Sequence, residues 1–89
     1  MVTRTLQIPN SAGVHARAAA LVAKTAQRFE ASISLEKDGL KVNARSIMEV
    51  LMLAAGQGAT VTVTAEGVDE LEAVDAITVL MTEGFGEGK

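Results

Sequence analysis

Residues 2–29 read VTRTLQIPNSAGVHARAAALVAKTAQRF, and a change of period inside this stretch decides the fold class. Val2, Arg4, Leu6 and Ile8 alternate with Thr3, Thr5 and Gln7, the period of a strand with one half-buried face. Pro9-Asn10-Ser11 and Gly13 end that strand in a loop. From Ala16 the period becomes helical, in an alanine-dense segment of favourable helix propensity. Ala19, Val22, Ala26 and Phe29 would face a core. Arg17, Leu21, Lys24 and Arg28 recur on a second, basic face.

The same two periods continue outward from this stretch. Ala31 to Glu36 alternates, with Ile33 and Leu35 inward. Asp38-Gly39 is a two-residue hairpin signal, because both central residues of the favoured turn need positive φ. Leu40 to Asn43 is the return strand. Ser46-Ile47-Met48-Glu49 is a capping-box pattern, with Ser46 accepting from the Glu49 amide and Glu49 reaching back to the Ser46 amide. An apolar helix should run to about Ala55 and stop at Gly56 and Gly58. Thr60 to Ala65 is a strand with Val61 and Val63 inward. Asp69, with Glu72 three residues on, starts a last helix carrying Leu71, Val74, Ile77 and Met81 as its apolar stripe. The segment from Gly84 to Lys89 should fray. The order βαββαβα predicts an α+β fold, with helices on one face of a mainly antiparallel sheet. Periodicity does not set which strands are neighbours.

Composition narrows the chemistry. Eighty-nine residues suit one domain, 1–89, with one small core. Cysteine is absent, which excludes disulfides, thiolate nucleophiles and cysteine-ligated zinc. With no cysteine and one histidine, His15, a structural zinc site is close to excluded, and no metal or cofactor is expected. Tyr and Trp are absent and Phe numbers two, so there is no aromatic platform for stacking bases. A net charge of −3 disfavours general nucleic-acid binding. No apolar run reaches membrane-spanning length. The N-terminal residues show no apolar signal-peptide core, so a cytoplasmic protein is expected. The charge is unevenly spread: residues 1–45 hold seven of the eight bases against three acids, and residues 46–89 hold eight acids against one base.

The basic half contains the one chemically distinctive run, Gly13-Val14-His15-Ala16-Arg17-Ala18-Ala19. It sets a histidine at the junction of a glycine loop and a helix start. The first helical amides there, those of Ala16, Arg17 and Ala18, have no intrahelical acceptor. Aligned peptide dipoles add partial positive charge, so an anion is welcome at this point. Arg17 adds a permanent cation whose planar fork matches phosphate oxygens. The neutral ring is the nucleophilic form of a histidine. On the residues alone, a surface N-cap histidine beside a solvated arginine is the more ordinary reading.

At these residues the chain resembles the HPr family, the histidine-containing phosphocarriers of the bacterial phosphoenolpyruvate-dependent phosphotransferase system. The matching pieces are Gly13-Val14-His15-Ala16-Arg17, Asn43-Ala44-Arg45-Ser46-Ile47-Met48, and Gly58 before the Thr60–Ala65 strand. Length and element order match as well. The resemblance implies an open-faced β-sandwich, a four-stranded antiparallel sheet with three helices on one face. It implies a phosphoryl carrier rather than an enzyme, with His15 taking the group on Nδ1 from phosphorylated enzyme I and passing it to an enzyme IIA domain in sugar uptake. Arg17 would neutralise and orient the phosphate. Ser46 would be a regulatory phosphorylation site for an HPr kinase/phosphorylase, although an N-cap role explains it equally. The family usually has proline after the arginine, and here Ala18 stands in that place.

The helix after Ser46 is unusually apolar, with Glu49 its one acid. Val50, Leu53 and Ala54 fit its core side. Ile47, Met48, Leu51 and Met52 then form a candidate docking surface, which Leu21, Lys24 and Arg28 would extend with a basic rim. A carrier meeting several partners is expected to be monomeric. Two alternatives stay open: a regulatory nitrogen-branch paralogue, towards which Leu51-Met52-Leu53 and Gly84-Phe85-Gly86 point, and a small anion-binding module that transfers nothing.

Overall fold

A computed structural model describes residues 1–86. The elements are β1 (Val2–Gln7), α1 (Ala16–Ala26), β2 (Ser32–Lys37), β3 (Leu40–Asn43), α2 (Ile47–Met52), β4 (Thr60–Glu66) and α3 (Glu70–Thr82), followed by a 3₁₀ turn at Gly84–Gly86. The strands form one antiparallel sheet in the order β1-β4-β2-β3. The last strand to be made, β4, therefore lies in the middle and joins the first to the second. Cross-strand partners such as Leu6↔Val61 and Leu35↔Val63 put the apolar rows of β1, β2 and β4 on one face. The helices pack on that face: the core holds Ile33, Leu35, Val61, Val63, Val22, Val50, Val74, Ile77 and Met81. The other face carries hydroxyls, with Thr3 paired to Thr64 and Thr5 to Thr62. This is the open-faced α+β sandwich that the alternation and the resemblance imply.

The Asp38-Gly39 turn has φ of +51° and +84°, as the hairpin signal requires. Elsewhere the chain departs from its periodic reading, each time for a local reason. Arg4 shares the inward row of β1 but stays exposed and reaches Asp75 of α3 at 2.5 Å. α1 ends at Ala26, and Phe29 lies in the following turn, only partly buried against the core. α2 ends at Met52, short of Ala55, because Leu53 and Ala54 bond back only three residues and Ala54 enters the left-handed region at φ +51°. Ala54 is accordingly exposed, not core. Only half of the capping box forms. Ser46 Oγ accepts from the Glu49 amide at 3.2 Å, but the Glu49 carboxylate accepts from the Asn43 amide instead of the Ser46 amide.

α3 shows two further differences. Ala73 takes the buried place read for Leu71, which is about half exposed. Asp69 stands at the N-cap but makes no cap bond. Its carboxylate accepts from the Glu30 and Ala31 amides at 2.9 and 2.8 Å, tying α3 to the α1–β2 connection. The frayed end read from Gly84 does not hold at its start: Gly84 and Phe85 are buried, Phe85 in the core. Residues 87–89 of that segment lie outside the described residues. No helix among the described residues is long and apolar enough to cross a membrane.

Candidate functional site

The loop between β1 and α1 is built tightly. Gly13 N–H donates to the Asn10 carbonyl at 3.1 Å, closing a four-residue turn. Gly13 has φ +66°, and a β-carbon there would stand 2.5 Å from the Ala55 carbonyl oxygen, so only glycine fits. Val14 N–H then donates to that same Ala55 oxygen at 2.8 Å, fastening the loop to the segment after α2.

This geometry delivers His15 as the N-cap of α1, with extended backbone at φ −91° and ψ −175°. Its Nδ1 accepts from the Arg17 amide at 3.2 Å and the Ala18 amide at 3.5 Å. Nδ1 is therefore an unprotonated lone pair aimed along the helix axis, and the imidazole takes the place that an Asp or Ser oxygen usually fills. The ring is half-buried. Of the three amides read as a phosphate cradle, those of Arg17 and Ala18 converge on one point, and that point is Nδ1. Ala16 is exposed beside them, and its amide is not among the donors to the ring. Arg17 is exposed, and its guanidinium has no hydrogen bond or ion pair among the described residues. A convergent pair of amides, a free cation and a nucleophilic nitrogen at a helix start can hold a phosphoryl group covalently and neutralise part of its charge.

α1 and α2 pack against each other. The loop into α1 bonds to the chain after α2 through Val14 and Ala55, and the end of α1 bonds to the chain before α2 through Gln27 and Arg45 at 3.3 Å. The two helices are thus antiparallel, with His15 near the C-terminal end of α2 and Ser46 at its other end. On α2, Ile47, Met48, Leu51 and Met52 are all exposed, Met48 at 76% and Met52 at 62%. Val50 and Leu53 are the buried side. Lys24 and Arg28 are exposed, but Leu21 is partly buried against the core and contributes less surface than its face suggested. Two residues of the site were missed by periodicity. Asn10 is buried behind the loop, and its spacing to Gly13 was the available signal, since Asn at the first and Gly at the last position favour this turn. Ala55, whose carbonyl anchors Val14, leaves no mark in sequence because the contact is made by backbone.

Fold and site together define a small open-faced sandwich that presents one imidazole at an anion-ready helix start. The chain belongs to the HPr phosphocarrier family of the phosphotransferase system: the family model described as PTS HPr component phosphorylation site matches residues 2–83. The phosphocarrier protein HPr of Cupriavidus necator is 45% identical over 89 residues, the whole of both chains. A crystal structure of HPr from Thermoanaerobacter tengcongensis superposes with a TM-score of 0.95 at 46% identity, covering 100% of each chain. A crystal structure of an HPr dimer from the same organism has a TM-score of 0.78 at 47% identity, covering 98% of this chain and 100% of that one.

Proposed function

We propose that His15 is the phosphoacceptor of a phosphoryl relay. The observation that carries the reading is the Nδ1 lone pair held at the start of α1 by the Arg17 and Ala18 amides, with an unengaged guanidinium two residues on. Nδ1 attacks the phosphorus of a phosphohistidine on enzyme I. The new N–P bond forms as the donor's N–P bond breaks, and the electron pair stays on the donor nitrogen. The amides that had served Nδ1 are then free to donate to phosphate oxygens, and Arg17 closes over them. In the second transfer a histidine of an enzyme IIA domain attacks, and His15 leaves as the neutral ring. Such transfer rests on positioning and charge stabilisation, which a small carrier can supply without a metal of its own.

The exposed apolar side of α2 and the basic residues Arg17, Lys24 and Arg28 form the docking face for these partners, and the carrier works in the cytoplasm as a monomer. Ser46 is a regulatory site on the same face, where phosphate would be accommodated by the α2 amides and repel an acidic partner. The test uses enzyme I, Mg²⁺ and labelled phosphoenolpyruvate. An acid-labile, base-stable label is expected, absent from His15→Ala. A competent enzyme I that leaves the wild type unlabelled would sink the carrier reading and leave the anion-binding module. A Ser46→Asp variant should accept phosphate more slowly, and an unchanged rate would remove the regulatory role.

A further inference from the structure

Behind the site lies Asn10, the one buried polar side chain among the described residues, with 1% of its surface exposed. A buried amide is kept only where its hydrogen bonds are met, and those bonds then impose a geometry. Asn10 Nδ2 donates to the Gly13 carbonyl at 2.9 Å. The same carbonyl accepts the His15 N–H at 3.2 Å. A carbonyl oxygen has two acceptor sites, and these two donors fill them. The Asn10 carbonyl in turn accepts the Gly13 N–H at 3.1 Å, so Asn10 grips both ends of the Gly13 peptide units. The His15 backbone is thereby hung from an oxygen that the Asn10 side chain orients. The His15 side chain then finds the Arg17 and Ala18 amides.

Asn10 is itself held from the far side. The Gly84 backbone lies so close that a β-carbon there would stand 3.3 Å from Asn10 Cβ, and the adjoining Phe85 is buried in the core. We infer that Asn10 is a positioning residue for His15, acting through the Gly13 carbonyl and backed by the Gly84–Phe85 turn. The inference rests on the phosphoacceptor reading and adds a residue that touches neither the phosphate nor a partner. It makes the C-terminal turn part of the support of the site.

The experiment compares Asn10→Ala with Asn10→Asp. Alanine removes the donor and leaves the Gly13 carbonyl with its His15 partner. Aspartate keeps the size and shape but points an acceptor at an acceptor. Two readouts are taken on each folded variant: phosphoryl acceptance from enzyme I with kcat and KM separated, and the backbone amide resonances of Arg17 and Ala18. A positioning role predicts kcat lower by about tenfold in Asn10→Ala and by more in Asn10→Asp, with KM unchanged. It also predicts displaced Arg17 and Ala18 amide resonances in both. The reverse order, with aspartate close to wild type and alanine impaired, would show a filler of space and overturn the inference. So would unmoved amide resonances in Asn10→Ala, which decide the question alone if Asn10→Asp does not fold. A wild type that takes no label defeats the phosphoacceptor reading instead, and the amide readout still reports on Asn10.

Discussion

At the residue scale the departure that matters is Ala18. With alanine there, the backbone keeps an N–H, and that N–H is one of the two donors on His15 Nδ1, at 3.5 Å. The bond is long, and in the proposed relay it engages the lone pair that attacks phosphorus. Part of the cost of phosphorylation is then the loss of this contact, repaid only once phosphate oxygens take it over. Proline would remove the donor and is tolerated in a first helical turn. Ala18→Pro is therefore expected to keep the fold and to raise the rate of phosphoryl acceptance by about threefold, the value of a weak hydrogen bond. Single-turnover transfer from phosphorylated enzyme I measures it. A rate that falls would mean that the Ala18 amide serves the transition state more than it restrains the ring.

At the element scale the short helix α2 and the start of α3 show where folding and function meet. α2 has six residues, too few to stand by propensity alone, so its ends carry the weight. Ser46 caps one end, and Lys37 Nζ donates to the Leu53 carbonyl at the other, 3.2 Å away, where a cation suits the helix dipole. Just past that second end Ala54 holds φ +51°, a conformation that costs a non-glycine residue about 1 kcal/mol. Ala54→Gly relieves it and adds freedom to the unfolded chain, so a net gain of about 0.5 kcal/mol is expected. It would appear as a higher denaturant midpoint at unchanged slope. A lower midpoint would mean that the alanine conformation is not strained. In α3, the Glu30 amide first and the Ala31 amide next hold the Asp69 carboxyl below its ordinary value. A depressed carboxyl contributes stability that is complete above the unfolded value of about 3.9 and is lost as pH falls through the folded value. Asp69→Asn should thus be less stable than wild type near neutrality and show a shallower loss of stability on acidification. Unfolding free energies at stepped pH test this, and parallel curves for the two proteins would refute it.

At the scale of the whole molecule, what was legible in sequence was what each element owes to its own residues. Strand and helix periods, the Asp38-Gly39 turn and the His15 helix start all depend on neighbours in the chain. The order β1-β4-β2-β3 depends on pairings between residues some sixty positions apart, such as Thr3 with Thr64, and periodicity carries no trace of them. For the same reason Asn10 and Phe85 read as loop and tail, although long-range packing buries both. Charge was legible in the sum but gained meaning only from placement. The seven bases of the first half include Arg17 and Lys24, exposed on α1, and Arg28, exposed just beyond its end, while Glu70, Glu72 and Asp75 lie on α3. A protein of net charge −3 thus holds a basic flank beside an apolar patch, with one exposed acid, Glu49, on the helix of the patch and an acidic cluster on α3. Long-range attraction by such a flank acts on encounter and not on the bond-making step. Salt shortens its reach to about 8 Å at physiological ionic strength and to about 3 Å at 1 M. Raising salt across that range should increase KM for phosphorylated enzyme I by about tenfold while kcat stays constant. Lys24→Glu with Arg28→Glu should raise KM in the same way at low salt and flatten its salt dependence. A kcat that falls with salt would instead place these charges in the transfer step itself.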